Sequence, residues 1–143
     1  MQMILATASA IAALALPIDA HQVTIQHQGR DVTAAYGATV EIETRQRGIA
    51  PPMRASTQQC DWQAVVKVER SVTGSTLPAR LVATDRSQKG TIAGDCRALA
   101  RQIDRAIAGR APAIQQRLAA IASEDRATLL AEIDRLAVVA SND

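Results

Sequence analysis

Residues 58–70 read QQCDWQAVVKVER, and their alternation decides the fold class. Successive side chains of a strand point to opposite faces. Cys60, Trp62, Ala64, Val66 and Val68 therefore share one face, and Asp61, Gln63, Val65, Lys67 and Glu69 share the other. One apolar face and one largely polar face mark an antiparallel sheet with one side in water.

The same period runs upstream. In QVTIQHQ (22–28), Val23, Ile25 and His27 fall on one face, and Gly29, Arg30 and Asp31 supply a short turn. In ATVEIETRQR (38–47), Val40 and Ile42 oppose Thr39, Glu41, Glu43 and Arg45. A Pro-rich surface loop, GIAPPMRAST (48–57), separates this run from the opening stretch. After a turn at TGST, a last strand is expected over about 79–85. Four strands in a meander are the simplest arrangement.

Downstream the period lengthens to that of a helix. Leu99, Ile103, Ala106 and Ile107 recur at helical spacing, with Gly109 placed as a C-terminal cap. Pro112 opens a second helix at its first turn, with Ile114, Leu118 and Ile121 as its stripe. Two readings of the rest stay open. Ser123 caps a third helix whose stripe is Leu129, Leu130, Ile133, Leu136 and Ala137, or one helix runs unbroken over 112–139. The unbroken helix would put Asp125 in its apolar seam, which favours the break. The expected fold is thus α+β: a four-stranded antiparallel meander followed by two or three helices on its apolar face.

Residues 1–20, MQMILATASAIAALALPIDA, have the layout of a secretory leader. An uncharged apolar run is broken by Pro17, and Ala20 offers a small residue for cleavage. About 14 apolar residues are too few to cross a ~30 Å bilayer core, so no stable membrane span is expected after cleavage. The mature protein would begin at His21 as a single exported domain, 21–143, with its sheet over about 22–86 and helices over about 95–140. Its compartment would be the periplasm or the medium. An arginine-rich, lysine-poor composition (14 of the 16 basic residues are arginine) agrees with the codon usage of GC-rich bacteria.

Cys60 and Cys96 are the only cysteines, and an even pair in an exported chain predicts a disulfide. Closing a loop of about 36 residues would contribute roughly 3–4 kcal/mol in the chain-entropy model. Redox chemistry is the rival, but there is no C-x-x-C; a metal site needs more ligands than two distant cysteines. Trp62 either packs in the core against the bridge or leaves one face open as a surface contact. Arg97, Arg101 and Arg105 line one helical stripe, where like charges repel by a few tenths of a kcal/mol. Asp104, Glu132 or Asp134 would compensate them, or an anionic partner would.

His21 and His27 are the only histidines. A mature terminal His21 has an amine and a ring to offer copper. Six residues along a strand is about 20 Å, which keeps His27 from sharing that metal. Tyr36 and Trp62 are the only aromatic residues, too few for a broad stacking platform for sugar or single-stranded nucleic acid. A formal net charge of +2 without a dense basic patch gives no nucleic-acid signature. No phosphate loop, dinucleotide fingerprint, zinc-protease motif or G-x-S-x-G is present.

These features point to a small exported, envelope-associated interaction or accessory protein. It would have no catalytic activity and no cofactor, and its partner would be an unidentified protein or envelope component. The alternatives are a periplasmic small-ligand or metal-binding protein, and an enzyme of a type these motifs do not mark.

Overall fold

The computed structural model describes residues 10–14 and 16–141. Residues 1–9 and 15 of the expected leader lie outside the described residues. The chain forms β1 (Ala10–Leu14), β2 (His21–His27), β3 (Arg30–Arg47), β4 (Gln59–Thr73), β5 (Arg80–Ala93), α1 (Ala100–Ala108) and α2 (Ala111–Ser141). The strands form one sheet in the order β1-β3-β4-β5, with β2 also paired to β3. The class is α+β, with an antiparallel sheet and one disulfide.

Three expectations are corrected. There are five strands rather than four, because AIAAL within the expected leader pairs with β3, from Ala10 opposite Thr44 to Leu14 opposite Val40. β2 takes the other half of β3, from His21 opposite Tyr36 to His27 opposite Arg30. The last strand runs on to Ala93 rather than ending near 85. As the outermost strand of the order it needs no clean apolar alternation, so the polar run DRSQKG hides it. The helices number two, and α2 continues through an exposed Ser123 instead of being capped there.

Two compact units share the long strands. Among the described residues, the first comprises 10–14, 16, 39–66 and 85–110. It holds β1, α1 and the adjoining halves of β3, β4 and β5. Its buried side chains are Val40, Ile42, Cys60, Trp62, Ala64, Val65, Val66, Ile103 and Ile107. All but Val65 lie on the faces expected from the periodicities; Val65 is buried on the face read as polar.

The second unit comprises, among the described residues, 17–38, 67–84 and 111–141. Gln28 and Gly29, both at positive φ, make the tight hairpin between β2 and β3. α2 lies against β2. Ile114, Leu118, Ile121, Ala122 and Leu129 of the helix are buried, as are Ile25, Val32, Ala34, Tyr36 and Val68 of the strands. The Gln115 side chain accepts from the Asp19 backbone N–H at 3.0 Å and donates to its carbonyl at 2.9 Å, which ties the approach to β2 onto α2.

Candidate interaction surface

In the first unit, Cys60 at the start of β4 is bonded to Cys96, with their Cα atoms 5.0 Å apart. A single side chain, Gln46 at the end of β3, reinforces this end. Its Nε2 donates to the Gln59 carbonyl at 3.1 Å and the Gly94 carbonyl at 3.0 Å, and its Oε1 accepts from the Cys96 N–H at 2.7 Å. The Gly94 N–H adds a bond to the Gln58 carbonyl at 2.8 Å.

From this braced end projects the loop 48–58. Gly48 enters it at φ +81, and a Cβ there would come within 2.2 Å of the Thr57 carbonyl oxygen, so only glycine fits. The Thr57 N–H donates to the Ile49 carbonyl at 2.9 Å, and the Thr57 hydroxyl accepts from the Ile49 N–H at 3.2 Å. Pro51 and Pro52 fix two φ angles within the loop. Two large apolar side chains stand out on it, Ile49 at 67% and Met53 at 94% exposed, beside an exposed Arg54. Its composition marks a loop, but nothing in that composition signals that the base is locked.

Arg47 anchors the adjoining edge. Its Nε and Nη2 donate to the two Asp61 carboxylate oxygens at 2.5 and 2.8 Å, and the Thr91 hydroxyl also donates to Asp61 at 2.8 Å. The Arg47 bond first, then that of Thr91, holds the Asp61 carboxyl below its usual range.

Trp62 is 4% exposed, which corrects the reading of it as a surface contact. It lies against Gly90 of β5, where a Cβ would come within 2.8 Å of the indole, and the Arg110 guanidinium sits 5.6 Å from the ring centroid. Arg97, Arg101 and Arg105 are exposed, and none forms an ion pair with a described residue. Arg97 precedes α1, in a turn where its N–H bonds Asp95 Oδ1 at 2.8 Å. Two of the acids expected to balance them are engaged elsewhere: Glu132 by Arg70 and Arg80, and Asp134 by His27.

The second unit contains a buried polar cluster. Arg70 is 1% exposed; its Nη1 donates to Asp125 Oδ2 at 2.6 Å and its Nη2 to Glu132 Oε2. Tyr36 donates its hydroxyl to the same Asp125 oxygen at 2.8 Å, and Arg80 pairs with the other Glu132 oxygen. Burial pulls the Arg70 pKa down, but the bonds and charges of Asp125 and Glu132 outweigh it and hold it above the ordinary value. Burial, then the Asp125 bond and charge, push the Tyr36 phenol well up. Beside Tyr36 is a cavity of about 180 Å³ lined by His21, Val23, Ile25, Ser123 and Arg126, among others. His27 shares a 2.6 Å hydrogen bond with Asp134, away from His21 at the opposite end of β2. Among the described residues no group of three or more His, Cys, Asp or Glu is placed to hold a metal, and no helix is long and apolar enough to cross a membrane. No family model, no curated protein and no solved structure matches the chain.

Proposed function

We propose that this chain is a small exported protein of the cell envelope that binds another protein through the 48–58 loop and performs no catalysis. The observation that carries the reading is the loop itself. It is locked at its base by Gly48 and Thr57, braced through Gln46 and the disulfide, and yet presents Ile49 and Met53 to solvent. A loop held in one conformation loses little entropy on docking, and exposed apolar side chains on it supply contact area. The disulfide fits the compartment that the leader would reach, since such bonds persist in oxidising surroundings.

The test is a photo-crosslinking residue at position 53 of the exported protein in intact cells. A discrete adduct that is lost in Ile49→Asp supports the reading. No adduct from position 53, or one that persists unchanged in Ile49→Asp, overturns it.

A further inference from the structure

The first unit holds a strand edge whose occupant belongs to the expected leader. β1 covers the outer edge of β3 over Val40–Thr44, with Ala12 set opposite Ile42 and beside a groove of about 210 Å³ that Ile42, Thr44, Ala100 and Ile103 help to line. Removal of residues 1–20 would take β1 away. It would leave the backbone N–H and C=O groups of β3 beyond its β2 pairing without a strand partner on that side.

The sequence along this edge is self-complementary in one register. Glu41, Glu43, Arg45 and Arg47 project from one face, and Ile42, Thr44 and Gln46 from the other. Consider two such edges meeting antiparallel in a continuous sheet. A two-fold centred on Glu41, Ile42 or Glu43 sets glutamate directly opposite glutamate, and one centred on Arg45 sets arginine opposite arginine. Centred on Thr44, each Glu41 meets an Arg47 and each Glu43 meets an Arg45, which gives opposite charges at every charged position. Directly opposed like charges destabilise a pair of strands, and opposite charges stabilise it by roughly 0.2–1 kcal/mol each.

We propose that the mature protein forms a two-fold dimer by pairing the 41–47 edges of β3 from two copies, with Thr44 on the axis. Such an interface is isologous: Glu43 of each copy contacts Arg45 of the other. The proposal rests on leader removal, and it commits the vacated edge to a second copy of this chain.

The experiment uses the exported protein as purified, with its N-terminus defined by intact mass. Sedimentation equilibrium over a concentration series should show a monomer–dimer equilibrium. Glu43→Arg should raise the dissociation constant about tenfold or more, and the exchange Glu43→Arg with Arg45→Glu should restore it. Residues directly opposed in an antiparallel pair have Cα atoms about 4.5–5.5 Å apart, within disulfide range. Thr44→Cys should therefore cross-link two copies under mild oxidation, and Val40→Cys should not. A mass starting at His21 with monomer at all concentrations overturns the dimer and leaves the leader reading intact. A mass that retains residues 10–14 overturns both, because β1 then keeps the edge. A dimer insensitive to Glu43→Arg, or not linked through Thr44→Cys, overturns the register.

Discussion

Arg70 and Asp125 meet at 2.6 Å, and each is the misfit of its own apolar face. Arg70 continues the inward series Cys60, Trp62, Ala64, Val66, Val68 on β4. Asp125 interrupts the series Ile114, Leu118, Ile121, Leu129 on α2. Paired, and joined by Tyr36 and Glu132, they let α2 run unbroken through Asp125. Removing one partner leaves the other's charge buried. Arg70→Met and Asp125→Ala should each lower unfolding free energy by about 3–5 kcal/mol in urea titrations. Arg70→Met combined with Asp125→Leu should lose less than the sum of the two.

Tyr36 is the sole tyrosine, so its ionisation is read directly from tyrosinate absorbance. Burial first, then the Asp125 bond and charge, hold its phenol well above the ordinary tyrosine range. The folded state therefore holds the proton more tightly than the unfolded state. Its contribution to stability is complete below pH about 10 and falls as pH rises beyond that. The absorbance transition should come later in the folded protein than in urea, and Tyr36→Phe should flatten the alkaline decline in stability.

The Cys60–Cys96 bridge closes a loop across a sequence separation of 36. Replacing both cysteines by serine should cost about 3–4 kcal/mol by loop entropy. The measure is the unfolding free energy from urea titrations of the variant against the oxidised parent, with a higher m-value expected because the unfolded chain without its cross-link exposes more surface.

Gly90 marks the place where the Trp62 indole crosses β5. Gly90→Ala puts a methyl group into the ring and should destabilise by about 1–3 kcal/mol. Because Trp62 is the only tryptophan, a red shift of its emission would report the displacement. An unchanged spectrum and midpoint would refute the close approach.

The central strands and both helices were legible because burial imposes a period: Val40, Ile42 and Cys60 to Val68 for the strands, Ile103 and Ile107 for α1. The disulfide followed from the number of cysteines. What stayed hidden was paired across long sequence distances. Asp125 looked like a helix break because Arg70 and Tyr36, 55 and 89 residues away, are invisible to a helical wheel. β1 was hidden because apolarity serves a leader and a strand alike. The loop 48–58 was readable in composition, but its rigidity lies in hydrogen bonds of Thr57 and Gln46 that no composition signals.

Gln46 also bears on how the bridge forms. Its amide fastens Gln59, next to Cys60, and the Cys96 N–H to the same side chain, without use of the sulfur atoms. A reduced chain that has folded thus keeps its two thiols beside one another, and oxidation becomes a local closure rather than a search. Gln46→Ala should slow re-oxidation of the reduced protein while leaving the oxidised fold intact. The amide of one side chain would then set how quickly the bridge closes.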